Sequence, residues 1–247
     1  APGVENLNLD GSSFTAGTKY VKANYAITFT LTDTLALQSY TVTRNGTAIT
    51  GHNAVAISGT SAAVTVNETI GGGGLADGVY EYKLTVTDAV GTSTVVDRTI
   101  MIDSAAPVLS ITAPVAGEGV DNNSYTIRGT VDDGSGKGVT DLGYSTVGAG
   151  GPWIPITRAA SWSATGIDFS GAEGSRTLWV RATDGLNDPV IQSVAFQYDT
   201  AYPVLTESSD APFNGIGSSD TQYTNSTVTF AGSASDTNAL TSLVVRV

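Results

Sequence analysis

Apolar and polar residues alternate with a period of two through most of this chain. Within residues 21–33, Tyr25, Ile27, Phe29 and Leu31 stand against Ala26, Thr28, Thr30 and Thr32, the pattern of a strand with one face buried. Residues 37–43 alternate in the same way, and Asn45-Gly46 then supplies the positive φ angles of a tight hairpin turn. Val64 and Val66 mark a further strand, Gly71 to Gly74 a flexible loop. Along residues 80–87, Tyr82, Leu84 and Val86 face one way and Glu81, Lys83, Thr85 and Thr87 the other, before a last strand over 94–102. Short strands with a turn every ~8–12 residues and no helical periodicity predict an all-β antiparallel sandwich.

The order then repeats. Strands are expected at 108–112, 125–131, 142–146, 162–167, 176–182 and 190–198, with Leu178, Val180, Ala182, Val194, Phe196 and Tyr198 pointing inward. Thr87-Asp88 recurs as Thr183-Asp184, Asp103 as Asp199 and Pro107-Val108-Leu109 as Pro203-Val204-Leu205, always 96 residues later. A period near a hundred residues marks tandem domains with separate cores, because solenoid repeats are much shorter. The expected division is 1–103, 104–199 and 200–247, with residues 104–106 as the first linker and Pro107 limiting strand pairing across it. The third segment matches the first at an offset of 203, with Asp236, Ala239, Leu240, Ser242 and Val245 answering Asp33, Ala36, Leu37, Ser39 and Val42. It reads as the opening part of a third domain, with strands expected at 227–233 and 240–247. Their apolar faces would need covering by further chain or by a neighbouring molecule. Ala1-Pro2 echoes Ala106-Pro107, as if the chain had been cut from a longer protein at a repeat boundary.

Composition narrows the function more than the fold. A formal net charge of −12 spreads along the chain as −4 over 1–103, −5 over 104–199 and −3 over 200–247, so a nucleic-acid partner, which needs clustered Lys and Arg, is not expected. The chain has no Cys and one His. Disulfides, thiolate metal sites, Cys nucleophiles and His-rich zinc sites are thereby excluded. No apolar run reaches the ~18 residues of a membrane span.

The run Gly129-Thr-Val-Asp132-Asp133-Gly-Ser-Gly, the stretch Leu142-Gly-Tyr-Ser-Thr and the Gly-Gly-x-Trp turn ending at Trp153 resemble bacterial immunoglobulin-like repeats of the Big type. So do Leu75-Ala-Asp-Gly-Val-Tyr80 with Leu84-Thr-Val-Thr-Asp88, and the boundaries Asp103-Ser-Ala-Ala-Pro107 and Asp199-Thr-Ala-Tyr-Pro203. Unit one lacks the Gly-Gly-x-Trp turn. The resemblance implies tandem immunoglobulin-like sandwiches acting as a spacer or adhesion stalk of a secreted or surface protein. Its partners would be neighbouring domains of the same kind, and a glycan or host cell-surface protein. No enzymatic activity is implied.

His52, between Gly51 and Asn53, reads as an exposed loop residue. The four glycines from Gly71 lack the helix and the Lys-Ser/Thr of a phosphate loop. Carboxylates are the one constellation with chemistry. In such a sandwich the loop after the second strand and the loop before the last meet beside the incoming linker. That gathers Asp132, Asp133, Asp184 and Asp103 at the first junction. No cofactor is required by the pattern; calcium, which takes six to eight oxygens, is the ion it suits, while Asx turns are the purely structural use of the same residues. Trp179 and Arg181 should face outward near Trp153. Trp153 and Trp179 could stack on a sugar as a carbohydrate-binding module; the alternative, which the pattern favours, is that Trp179 packs under the Trp153 turn or against its Arg neighbour.

Overall fold

The structure is a computed structural model that describes residues 1–207 except 123 and 172, and residues 232–236, 240 and 242–244. The first unit contains β1 (Gly3–Leu9), β2 (Ser12–Ser13), β3 (Thr18–Val21), β4 (Tyr25–Thr32), β5 (Leu37–Arg44), β6 (Thr47–Ala48), β7 (Val55–Ala56), β8 (Ser61–Glu68), β9 (Gly78–Asp88) and β10 (Ser93–Ile102). One sheet runs β2-β1-β4-β8 and the other β3-β10-β9-β5-β6, with β7 also on β5. The alternation in β4 has its expected result: Tyr25, Ile27, Phe29 and Leu31 are buried against Leu84, Val86, Ile100 and Ile102 of the facing sheet. Asn45 and Gly46 take φ of 48° and 79°, the left-handed pair that closes the β5–β6 hairpin.

The second unit contains β11 (Val108–Ala113), β12 (Gly119–Val120), β13 (Tyr125–Asp132), β14 (Asp141–Ser145), β15 (Ile154–Pro155), β16 (Ser161–Ile167), β17 (Gly174–Thr183) and β18 (Val190–Tyr198). Its sheets are β11-β13-β16 and β12-β18-β17-β14-β15. Strands of residues 3–102 and strands of residues 108–198 share no sheet. Each set encloses its own apolar core.

Among the named strands of the described residues, pairing is antiparallel except at two equivalent places, where β3 runs parallel to β10 and β12 parallel to β18. In both units the chain leaves the first sheet early, after β2 in unit one and after β11 in unit two, and joins the edge of the other. That crossover orients β3 and β12 along the last strand.

The two cores fill one position in reciprocal ways. Phe29 of β4 faces Val64 of β8 across the ladder, and the corresponding pair in unit two is Gly129 of β13 and Trp162 of β16. A Cβ on Gly129 would lie 2.1 Å from Trp162 Cζ2 and 2.1 Å from the Ser110 carbonyl oxygen. Bulk has moved from one strand to its neighbour, as close packing of a fixed space requires.

Beyond the second unit, β19 (Val204–Glu207) pairs with β20 (Gly232–Ser235). The strand expected at 227–233 overlaps β20 only at its end, and its remainder lies outside the described residues. Residues 240 and 242–244, expected in a strand, are in none. Val228, Phe230 and Val245 are not among the described residues.

Candidate functional site

The junction is built from three segments. The linker leaves β10 at Asp103, whose N–H donates to the Val21 carbonyl at 2.9 Å and so continues the β3–β10 ladder by one step. The loop after β13 brings Asp133, and the loop after β17 brings Asp184. Carboxylate oxygens of Asp103, Asp133 and Asp184 lie within 4.8 Å of one another. Asp103 and Asp184 are 1% and 0% exposed.

Gly136 explains how the loop approaches so closely, since a Cβ there would meet Asp103 Oδ2 and Asp133 Oδ2 at 2.8 Å each. The backbone supplies part of the compensation. Lys137 N–H donates to Asp103 Oδ2 at 2.7 Å and Gly138 N–H to Asp133 Oδ2 at 2.6 Å. Asp184 Oδ1 accepts from the N–H groups of Leu186 and Asn187, and its Oδ2 from the Asn187 side chain at 2.9 Å. That same Asn187 amide donates to the Ala105 carbonyl at 2.9 Å, tying the linker to unit two. The Lys137 ammonium sits 5.3 Å from the Tyr20 ring centroid, a cation–π contact across the junction.

Electrostatics separate the three acids. Burial pushes the Asp133 carboxyl above the usual carboxylate range; the Gly138 hydrogen bond opposes this, and the neighbouring Asp103, Asp184 and Asp132 add to it. Burial would raise Asp184 as well, but the Asn187 and Leu186 hydrogen bonds and Lys137 outweigh it and hold Asp184 low. Asp133 Oδ1 is buried without a hydrogen-bond partner. The donor set suits a hard cation: it is all oxygen, and two ligands on opposite sides of an ion at about 2.4 Å stand about 4.8 Å apart.

Asp132 does not belong to the group. It ends β13 on the exposed side and its Oδ1 accepts from Gly134 N–H at 2.9 Å in an Asx turn. Two contacts that the sequence reading missed hold the linkers from outside the acidic group. Asp77 Oδ1 accepts from the N–H and hydroxyl of Ser104, at 3.1 and 2.8 Å. Ninety-six residues on, Glu173 accepts from the N–H and hydroxyl of Thr200, and Asp199 N–H donates to Val120 as Asp103 N–H does to Val21.

Trp153 and Trp179 are both partly buried. The Arg181 guanidinium lies over the Trp153 ring at 5.0 Å and pairs with Asp141, so the Arg neighbour stacks on Trp153. His52 is partly buried, not exposed as expected, because its Nδ1 meets the Tyr40 hydroxyl at 3.1 Å. A cleft of about 690 Å³ on the outer face of unit one is lined by Glu81, Lys83, Asp97, Arg98 and surrounding Thr and Gly residues. Glu68 is buried in unit one by a network the sequence did not reveal: both its oxygens meet Arg44 Nη1 at 2.6 Å, and Oε1 accepts from the Tyr82 hydroxyl, which also meets the Tyr25 hydroxyl.

No protein-family model matches the chain, and no curated protein matches it significantly. Solved structures do. A three-domain immunoglobulin segment of titin, I67–I69, superposes with a TM-score of 0.55 at 9% identity, over 85% of this chain and 79% of that one. The fibronectin(III)-like modules of Clostridium thermocellum CbhA give 0.40 at 17% identity, over 80% of this chain and 94% of that one. At such identities the likeness concerns the fold alone. The chain is all-β with immunoglobulin-like sandwiches, and among its described residues no helix is long and apolar enough to cross a membrane.

Proposed function

We propose that the chain is a spacer or stalk segment of a bacterial secreted or surface protein, without catalytic activity, whose work is to hold successive immunoglobulin-like domains in fixed relative positions. One observation carries this reading. Both linkers are clasped in the same way, Ser104 by Asp77 and Thr200 by Glu173, and the first is also tied forward through Asn187 to Ala105. A connector that served only as a tether would gain nothing from repeated clasps. Small-angle scattering tests it: a stiff pair of units gives a distance distribution that one arrangement fits, and a profile requiring a broad ensemble for residues 1–199 defeats the proposal.

In this reading a calcium ion at Asp103, Asp133 and Asp184 strengthens the joint. Keeping Asp133 ionised among two other buried acids opposes folding at neutral pH, and a cation offsets that cost. Sites of this kind in extracellular modules bind at roughly 10⁻⁴ to 10⁻³ M. At ten times the dissociation constant, binding to the folded state alone adds about 1.4 kcal/mol. Melting in millimolar calcium should therefore exceed melting in chelator, Asp133→Asn should remove the difference and Asp132→Asn should keep it. Equal melting temperatures for the unaltered protein sink the calcium site and leave the spacer reading to the scattering.

A further inference from the structure

The same face of the same sheet carries different chemistry in the two units, and the register allows comparison residue by residue. In unit one, β9 and β10 pair Glu81 with Thr99, Lys83 with Asp97 and Thr85 with Val95. In unit two, β17 and β18 pair Thr177 with Ala195, Trp179 with Ser193 and Arg181 with Ile191. Each residue of the second set follows its counterpart by 96. All alternate with buried neighbours such as Leu84 and Val86 or Leu178 and Val180, so they point away from the core. Packing of the sandwich therefore does not explain why a strip of Glu, Lys and Asp in one unit is a strip of Trp, Arg and Ile in the other.

The unit-two strip is also a built surface. Gly143 and Ser145, on the outer side of β14 opposite Arg181 and Trp179, are buried although they face away from the core. The turn absent from unit one seats on them: a Cβ on Gly143 would come within 3.0 Å of the Ile154 carbonyl oxygen and 3.5 Å of Trp153 Cβ. Trp153 is held there under the Arg181 guanidinium. On the opposite flank of Trp179 stands exposed Ser193, whose hydroxymethyl group is too small to cover an indole. Charge is balanced, because Arg181 is paired with Asp141, on a chain whose formal net charge is −12.

We propose that this strip binds an uncharged glycan. Trp179 stacks on the C–H face of a sugar ring, while the hydroxyls of Ser193 and Thr177 and the rim of the Arg181–Asp141 pair take sugar hydroxyls. The electrical neutrality of the strip selects the occupant. A polyanion finds no unpaired cation on it, and an apolar protein segment would strip water from the Ser193 and Thr177 hydroxyls and the ion pair without replacing their hydrogen bonds. A polyol satisfies both the ring and its polar border. The proposal is independent of the spacer function and of the junction cation.

The test is affinity electrophoresis of the full chain through gels containing xylan, galactomannan or a soluble β-glucan. At least one should retard the protein. Trp179→Ala should weaken that binding at least tenfold, about 1.4 kcal/mol, and Trp179→Tyr should restore part of it. Lys83→Ala, at the equivalent position of unit one, should bind as the unaltered protein does, and an unchanged denaturation midpoint confirms that Trp179→Ala leaves unit two folded. Three results overturn the proposal: no retardation in any gel, equal retardation of Trp179→Ala, or a concentration-dependent dimer that Trp179→Ala dissolves, which would assign the face to a second copy of the chain.

Discussion

Gly129→Ala is the smallest change that should break unit two while leaving unit one intact. The added methyl would stand 2.1 Å from the Ser110 carbonyl oxygen and 2.1 Å from Trp162 Cζ2. Ordinary carbon contacts lie near 3.5–4.0 Å, so each neighbour must retreat by more than about 1 Å. Neither can do so cheaply. Ser110 is bonded into the β11–β13 ladder, and Trp162 is buried in the unit-two core. Overpacking typically costs about 1–3 kcal/mol, and a clash with backbone on one side and a buried indole on the other belongs at the upper end, about 3 kcal/mol. For a domain of about a hundred residues that lowers the melting temperature by more than about 10 °C. Calorimetry should show the unit-two transition moving and the unit-one transition fixed. A second variant locates the strain. Trp162→Val recreates the small partner that Val64 provides for Phe29 in unit one, so Gly129→Ala combined with it should cost at least about 1 kcal/mol less than the two changes summed. Recovery should be incomplete, because the Ser110 oxygen remains. A cost below about 1 kcal/mol for Gly129→Ala, or strict additivity in the double variant, would refute the packing argument.

Tyr82→Phe removes the hydroxyl that donates to buried Glu68 and meets Tyr25 at 2.6 Å, and should destabilise unit one by about 2–3 kcal/mol in urea unfolding; a loss under about 0.5 kcal/mol would count against the network. Burial pushes Tyr25 and Tyr125 up to about 12, and Tyr82 higher still. Unfolded tyrosines ionise near 10, so the folded state holds these protons more tightly: the contribution is fully present below about pH 10 and is lost as pH rises from 10 through 12. Ultraviolet titration should show Tyr25 and Tyr125 ionising only as pH approaches about 12 and Tyr82 later still, unless unfolding comes first, and ionisation near pH 10 with the fold intact would contradict it. Asp77→Ala removes the acceptor for both Ser104 donors; it should broaden the distance distribution between spin labels on the two units while leaving their melting nearly unchanged, and an unaltered width would show that the clasp does not set the joint.

The long strands were legible because each has one buried and one open face, and that asymmetry writes itself into sequence at a period of two. β3 and β12 were not. They are four and two residues long, too short for alternation to register, and their parallel pairing with β10 and β18 depends on where the crossover delivers them. Reciprocal filling of the core was hidden for a related reason. Gly129 in a strand reads as a weak point until Trp162 is known to lie across from it, and that register is fixed by contacts distant in the sequence.

At the junction, loop placement follows from sandwich topology, which is why Asp103, Asp133 and Asp184 could be grouped from sequence while their contacts could not. Asp132 was separable in principle. Val131 is buried, so the alternation that governs β13 turns Asp132 outward and leaves Asp133, the first residue of the loop, free to turn in. The clasps also left a trace. Asp77 and Ser104 recur 96 residues on as Glu173 and Thr200, an acid remaining an acid and a hydroxyl a hydroxyl, between flanking residues that are themselves kept, Ala76 as Ala172, Gly78 as Gly174, Asp103 as Asp199 and Ala105 as Ala201. Chemistry kept across an internal repeat, where the residue itself is not kept, identifies a contact that must form in both copies. Chemistry that diverges at matched register, as at Lys83 and Trp179, identifies a surface that the packing of the sandwich leaves free.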